Sequence, residues 1–300
     1  MASRSRSSFW SEEAGAASLF LLPSLLILLV FIAFPLFYSF YLSFHQWSIL
    51  TPERRFVGLA NYRVALSSPE ARNAYKVTLL YSLGSIPLMT MSSLGLALLL
   101  KGPMRGLSAY RTALFSPVIM STTVTAIIWS WVFDPHYGPF NYLLSLFGIR
   151  GPNWLIDPHW ALPALIITAL WKYVGYYMVI FIAGLQSIPR VYYEAARLDG
   201  AGWFSQLTQI TLPLLRRTST FVLVMATINS FQTFSLVYVM TGGGPMDSTN
   251  VVVHYIYREA FEFFRMGYAS AVAWLLFIVL FILSLLQIRY IGRGSRRREM

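Results

Sequence analysis

The chain alternates between long apolar runs and short polar stretches. A helix needs about 20 mostly apolar residues to cross the hydrocarbon core of a bilayer, and six runs reach that length. Five have interiors free of charge, whereas the fourth carries Lys172 near its middle. The pattern predicts an all-α integral membrane protein with six transmembrane helices. The predicted spans lie at about 17–44, 77–100, 112–133, 161–184, 218–240 and 268–290.

Composition agrees with this pattern, because 56% of the 300 residues are hydrophobic and only 12% are charged. Soluble domains carry about 25% charged residues. No stretch outside the spans is long enough for a soluble domain. The sequence therefore predicts one membrane domain at 17–290, an N-tail at 1–16 and a basic C-tail at 291–300.

Basic residues indicate the orientation of the spans, because Lys and Arg are retained on the cytoplasmic side. Most of them fall in the two tails and in the second and fourth loops. We therefore predict that both termini are cytoplasmic. The net charge of +11 does not indicate a nucleic-acid partner. The basic C-tail directly follows a span, where it is expected to contact anionic lipid headgroups.

The sequence lacks the residues that metal binding, catalysis, proton-coupled transport and ATP binding usually need. The chain has no cysteine, its four histidines are scattered, and no predicted span has a carboxylate in its interior. Neither a metal site, a catalytic residue nor a proton-coupled carrier is expected. An enzyme acting on lipid-linked sugars is a remote alternative, and it would need acidic or histidine clusters. The phosphate loop GxxxxGK[ST] is also missing, so ATP would have to be hydrolysed by another polypeptide.

A polar segment at 187–213 interrupts the apolar chain before the fifth span. Pro189 can open a helix, with Ser187 as a candidate cap. Gly200 and Gly202 can end that helix before a second short helix and Pro213. The segment is predicted to be a helix–turn–helix on the cytoplasmic side. From the residues alone, either an amphipathic loop at the membrane surface or a docking element fits.

The same segment resembles the cytoplasmic signature of permease subunits of binding-protein-dependent ABC importers. That signature reads Glu-Ala-Ala, three residues, Gly, nine residues, Ile, one residue, Leu-Pro. The chain has Glu194-Ala195-Ala196, Gly200, Ile210 and Leu212-Pro213 at those spacings. The stretches "FVGLANY", "YRTALFSPVIM", "AGLQSIP", "TGGGP" and "MGYASAVAWLLF" are similar to the carbohydrate-uptake, maltose and glycerol-phosphate-type permeases of that family.

The resemblance implies a type I permease bundle whose segment 187–213 is the coupling helix, docking on an ATP-binding subunit. Asp199 and Ala201 belong to the same implied surface. The implied partners are a second, homologous permease, two ATP-binding subunits that hold ATP and Mg, and an extracytoplasmic solute-binding protein. The chain itself would need no cofactor. Its implied location is the inner membrane of a prokaryote.

Polar and aromatic residues in the fourth and fifth spans are candidates for a solute path, because buried polar groups in a membrane commonly face a cavity. Amide and hydroxyl groups beside aromatic faces suit a sugar. The resemblance to maltose-type permeases implies solute contacts at Tyr173, Tyr176, Ser230 and Thr233, although the residue types differ from the maltose pattern. The candidates are Trp171, Lys172, Tyr173, Tyr176, Tyr177, Asn229, Ser230, Gln232, Thr233 and Ser235.

Two alternatives remain for these residues. The polar groups can instead be hydrogen-bonding contacts between helices, each worth about 0.6 kcal/mol. Lys172 can meet an anionic solute, which would suit a permease for sn-glycerol 3-phosphate or a glycerophosphodiester. It can also stack on Trp171 or Tyr173 and contact no solute.

Overall fold

The structure is a computed structural model that describes residues 17–18, 20–102 and 105–292. The predicted N-tail and positions 293–300 of the predicted C-tail lie outside these residues. The described chain is mostly helical, with a short antiparallel pair of strands, β1 His45–Gln46 and β2 Arg55–Phe56. The helices are α1 Phe20–Ser43, α2 Ala60–Ser67, α3 Pro69–Leu99, α4 Leu107–Ile119, α5 Thr122–Val132, α6 Pro139–Leu146, α7 Pro158–Gln186, α8 Arg190–Leu198, α9 Trp203–Gln206, α10 Leu212–Leu214, α11 Arg216–Phe231, α12 Ser235–Met240, α13 Val252–Tyr257 and α14 Met266–Gly292.

Within the described residues, four helices are long and apolar enough to cross a membrane: α1, α3, α7 and α14. The pair α4 and α5 makes a fifth if a bend of 102° is counted inside one span. The predicted span 218–240 corresponds to α11 and α12, which are separated by residues 232–234. The structure thus has a bend or a break inside two of the predicted spans.

The chain divides into two compact units, and the first contains the residues up to Ala65 together with Glu259–Trp274. The apolar stretch of α1 is exposed along its length, as a helix facing lipid would be. After α1 the chain turns through β1 and β2, where His45 pairs with Phe56. The Asn61 amide donates to the carbonyls of Ser43 (2.8 Å) and His45 (3.0 Å), which ties α2 to this turn.

The second unit, Leu66–Arg258 with the chain from Leu275 onward, is organised around α3 and α7. Small residues allow its helices to approach closely, as is common in membranes. A Cβ added to Gly175 of α7 would lie 1.9 Å from the Leu114 carbonyl oxygen of α4. The Ser93 hydroxyl of α3 donates to the Val174 carbonyl at 3.0 Å. Close packing and a few polar contacts therefore hold this bundle together.

Side-chain caps define where the two longest helices of this unit begin. The Ser68 hydroxyl accepts the Ala71 N–H (3.2 Å) ahead of α3, and Pro69 follows at the first helical position. Asp157 caps α7 in the same way, accepting the His159 N–H at 2.9 Å. That hydrogen bond, strengthened by one to the His159 ring, holds the pKa of the Asp157 carboxyl below its usual range.

Candidate functional site: an interior cavity and an exposed polar segment

The second unit contains a cavity of about 220 Å³. Two buried apolar clusters contribute to its wall, one through Tyr81 and Leu236 and the other through Met89 and Tyr177. Residues of α3, α5, α7, α11 and α12 share this lining. They are Tyr81, Ser85, Ile86, Met89, Thr122, Ala169, Tyr173, Tyr177, Ala226, Asn229, Ser230, Gln232, Thr233, Phe234, Ser235 and Leu236.

The break between α11 and α12 lies in the cavity wall. Helix α11 ends at Phe231, and Phe234 has a non-helical backbone (φ −137°, ψ −61°). The Thr233 N–H still reaches the Ser230 carbonyl at 3.3 Å. Non-helical backbone at membrane depth is tolerated only where protein covers it or where it borders a cavity. All three residues of the break, Gln232, Thr233 and Phe234, line the cavity.

Hydrogen bonds between helices hold the polar side chains of this wall. The Ser230 hydroxyl donates to Ser82 and is hydrogen-bonded to Ser85, both at 2.9 Å. The Asn229 amide donates to the Tyr177 hydroxyl at 2.8 Å. The wall therefore offers amide, hydroxyl and aromatic groups in fixed positions, which is an arrangement suited to a polar, ring-shaped solute.

The cavity gathers most of the candidate path residues. Tyr173, Tyr177, Asn229, Ser230, Gln232, Thr233 and Ser235 line it. Trp171, Lys172 and Tyr176 are not in the lining. Trp171 is partly exposed and packs edge-on against Trp129 (5.7 Å between ring centres), while Tyr176 packs against Tyr177 (5.2 Å). Lys172 is 2% exposed and donates to the Pro117 carbonyl (3.4 Å) and the Met120 carbonyl.

Helix α3 contributes residues that sequence reasoning missed. Tyr81, Ser82 and Ser85 are buried, and their hydroxyl groups lie at the cavity wall or bond to it. Residues four apart share one face of a helix, so Tyr81 and Ser85 point to the same side. The cluster "YSLGS" in an otherwise apolar span was the available signal.

The segment 187–213 forms the predicted helix–turn–helix, and its turn is made by Gly200. This residue has φ +77°, a conformation that favours glycine. The Ala201 N–H donates to the Ala196 carbonyl (2.8 Å) and the Gly200 N–H to the Arg197 carbonyl (3.1 Å), which closes the end of α8. The predicted cap Ser187 instead donates to the Gly184 carbonyl, and α8 begins after Pro189.

The exposed surface of this segment contains large apolar side chains as well as polar ones. Leu198 is 90% exposed, Phe204 70% and Trp203 66%. At its base, the Tyr193 hydroxyl bonds to Thr211 at 3.0 Å and Lys101 lies over the Tyr193 ring. Of the signature residues, Ala196, Ala201 and Ile210 are half-buried. The exposed ones are Glu194, Ala195, Asp199, Gly200, Leu212 and Pro213.

Comparison with known proteins identifies the family. The profile of the family described as binding-protein-dependent transport system inner membrane component matches residues 16–297. The chain belongs to this family. It is a membrane-spanning transport subunit and, more particularly, the permease of a binding-protein-dependent ABC importer.

Three relatives align along nearly their whole length. A probable ABC transporter permease of Bacillus subtilis, YurN, is 36% identical over 92% of this chain and 96% of its own. The trehalose/maltose permease MalF of Thermococcus litoralis is 34% identical over 95% of this chain and 96% of its own. The sn-glycerol-3-phosphate permease UgpA of Brucella abortus is 33% identical over 91% of this chain and 93% of its own.

Solved structures share the fold. A chain of a bacterial ABC transporter that imports the acidic polysaccharide alginate superposes with a TM-score of 0.83, at 24% identity, over 95% of this chain and 99% of its own. A second structure has the alginate transporter in complex with its pentasaccharide-bound periplasmic protein. It superposes with a TM-score of 0.78, also at 24% identity, over 95% of this chain and 96% of its own.

Proposed function

We propose that this permease imports a sugar or sugar-like solute, which an extracytoplasmic binding protein delivers. The observation that carries the proposal is the wall of the cavity, to which Asn229 and Gln232 contribute amide groups and Tyr173 contributes an aromatic ring. Sugars are bound by this combination, because the amides satisfy hydroxyl groups and the ring covers an apolar sugar face. The trehalose/maltose relative supports the same class of solute.

The six-span topology is part of this proposal. The spans are α1, α3, the bent pair α4–α5, α7, the broken pair α11–α12, and α14. Both termini and the segment 187–213 lie in the cytoplasm, as the distribution of basic residues supports. A second, homologous permease completes the membrane part, and residues 17–290 form the transmembrane domain.

The energy for transport enters through the coupling segment, residues 187–213. Three large apolar side chains of this segment, Leu198, Trp203 and Phe204, are exposed, and Glu194 is exposed on the same short helix as Leu198. Exposed apolar side chains that cluster on a polar segment outside the spans are expected where another protein docks. We assign the contact to one of two ATP-binding subunits, which hold ATP and Mg and carry out hydrolysis, while this chain is not a catalyst.

Transport would follow an alternating-access cycle. Closure of the ATP-binding subunits moves α8, and α7 is continuous with the chain that leads into α8 through Ile188 and Pro189. Residues of α7 and α11 line the cavity, so movement of these helices changes access to it. The break at residues 232–234 supplies the part of the wall that is least constrained by helical hydrogen bonds.

A phosphorylated polyol, such as sn-glycerol 3-phosphate or a glycerophosphodiester, is the alternative solute. The glycerol-phosphate relative is nearly as similar as the trehalose/maltose one. The discriminating measurement is calorimetric binding of trehalose, maltose and sn-glycerol 3-phosphate to the cognate solute-binding protein. Binding of the phosphate ester alone would overturn the sugar assignment.

The coupling surface can be tested with one exposed side chain. Leu198→Ser should leave the amount of permease in the membrane unchanged, because Leu198 packs against little of its own chain. It should reduce co-purification of the ATP-binding subunits and solute-stimulated ATP hydrolysis about tenfold, as expected for loss of a central apolar contact.

The matched control is Leu146→Ser, since Leu146 is 62% exposed on α6, which the proposed topology places on the other side of the membrane from the coupling segment. This variant should retain co-purification and ATP hydrolysis. If Leu198→Ser and Leu146→Ser behaved alike, α8 would not be the docking surface.

A further inference from the structure

Lys172 is a buried charge whose hydrogen-bond partners are backbone carbonyls. Its ammonium group donates to the Met120 carbonyl and to that of Pro117 at 3.4 Å. It also lies 5.4 Å from the centre of the Tyr173 ring. Both carbonyls belong to the C-terminal end of α4, where the chain bends by 102° into α5. The lysine thus joins α7 to this bend.

The bend needs such a donor for a physical reason. The last carbonyls of a helix lack the usual partner one turn further on, and they carry the negative end of the helix dipole. Here the Pro117 carbonyl accepts a 3.3 Å hydrogen bond from the Met120 N–H, and Lys172 adds a second donor to it and a donor to the Met120 carbonyl. Helix α4 ends at Ile119, and Met120 has an extended backbone (ψ 145°). Unpaired carbonyls are costly inside a bilayer, where no water replaces the missing donors. An ammonium group offers three donors and a compensating charge at one point.

The bend also determines the position of a cavity residue. Thr122 is the first residue of α5, directly after the bend, and its hydroxyl lies 3.4 Å from the Tyr173 hydroxyl. Gly175, one turn further along α7 than Lys172, packs against the Leu114 carbonyl. Helix α7 therefore contacts α4 both at the bend and one turn before it.

We propose that Lys172 is a positioning residue: it holds the α4–α5 bend against α7 and thereby fixes Thr122 opposite Tyr173 in the cavity wall. Its ammonium group contacts the protein backbone and not the solute. The effect of this arrangement on transport rests on the proposed role of the cavity. The position of Thr122 does not depend on that role, so the arrangement and its effect on transport can be tested separately.

The chain has no cysteine, so Thr122→Cys introduces a thiol that is unique within it. The rate of maleimide labelling at this thiol is measured in membranes that contain the complete transporter. Lys172→Met in this background should raise the labelling rate about tenfold, which corresponds to the loss of one hydrogen bond from a charged donor. Lys172→Arg keeps donors and charge and should restore a rate close to that of the parent.

Lys76→Met is the matched control, because Lys76 is exposed near the start of α3. This substitution should leave the labelling rate at residue 122 unchanged. If Lys172→Met is not recovered in the membrane, Lys172→Leu, which also has no hydrogen-bond donor, is labelled in its place. A rate equal to that of the parent in either variant would overturn the proposal.

Uptake separates positioning from solute binding, with radiolabelled maltose and sn-glycerol 3-phosphate as probes. A positioning role predicts that Lys172→Met lowers the maximal rate for whichever probe the parent transports, with faster labelling at residue 122. Selective loss of glycerol phosphate uptake with unchanged labelling would mean that Lys172 binds the anion, and the proposal would be wrong. If neither probe is transported, uptake is measured with the solute that the cognate binding protein binds, and the labelling result still decides the role of Lys172.

Discussion

The coupling segment and the cavity wall both interrupt a helix, but they stabilise the interruption in different ways. At the end of α8, Gly200 supplies the left-handed conformation, and neighbouring backbone groups close the turn. Between α11 and α12 the break contains no glycine, and side chains from α3 and α7 hold the residues beside it. The conformation of the exposed turn is set by its own residues, whereas the conformation of the buried break is stabilised by side chains of neighbouring helices.

The largest effect should come from disturbing the neighbours on which the buried break depends. Gly175→Ala would place a Cβ 1.9 Å from the Leu114 carbonyl oxygen, so α4 and α7 must separate. We expect a loss of about 3 kcal/mol in the free energy of unfolding, at the upper end for overpacking. Unfolding in a denaturing detergent, followed by tryptophan fluorescence, measures it.

Gly95→Ala is the control for this substitution. Gly95 lies inside α3, where an added Cβ would meet no other atom within 4 Å. Alanine is the better helix former by about 1 kcal/mol, so this variant should be as stable as the parent or more stable. Equal losses in both variants would show that close helix packing does not support the region around the cavity.

The next effect should be confined to the exposed turn. Gly200→Val forces a β-branched residue to φ +77°, which costs about 1–2 kcal/mol. Because the segment is exposed, the membrane bundle should remain folded while solute-stimulated ATP hydrolysis falls. ATP hydrolysis in reconstituted transporter, together with the detergent unfolding curve, separates these two outcomes.

Two controls test whether backbone conformation is the cause. Gly200→Asn should recover most of the hydrolysis, since asparagine tolerates the left-handed region. Gly202→Val places the same side chain at φ −70°, also with no atom within 4 Å, and should not strain the backbone. Full activity in Gly200→Val would contradict the role of this turn.

The smallest effect should come from a single polar contact in the cavity wall. Ser85→Ala removes one hydroxyl bonded to Ser230, while Ser230 keeps its hydrogen bond to Ser82. Polar contacts between membrane helices average about 0.6 kcal/mol, and we expect a loss of that size in the unfolding experiment. A loss several times larger would mean that the three hydroxyls act as one cooperative network.

The same contrast explains what the sequence reveals and what it conceals. The turn at Gly200 is predictable from the sequence, because glycine readily adopts the left-handed conformation that ends a helix. The helices α1, α3, α7 and α14 were predicted from apolar length alone. The bend after Met120 and the break at residues 232–234 were not, since both depend on partners distant in sequence, such as Lys172 and Ser82.

The candidate solute residues divide along the same line. Asn229, Gln232 and Thr233 stand out as polar residues in an apolar span, and they line the cavity. Tyr176 and Tyr177 are adjacent, and only the second lines it, because neighbouring residues on a helix point about 100° apart. Trp171 and Lys172 are residue types expected at a solute site, but they contact other groups. Trp171 packs against the Trp129 ring, and Lys172 donates to the carbonyls of Pro117 and Met120.

The exposure of Leu198, Trp203 and Phe204 has a consequence for the expression level of this protein that a cell can tolerate. If they form the proposed docking surface, a permease made in excess of its ATP-binding partner would leave these side chains uncovered, and uncovered apolar surface promotes aggregation. The turn at Gly200 presents them whether or not a partner is present, because it is closed by its own backbone. The proposed docking therefore implies synthesis of the subunits in matched amounts, independent of which solute the transporter carries.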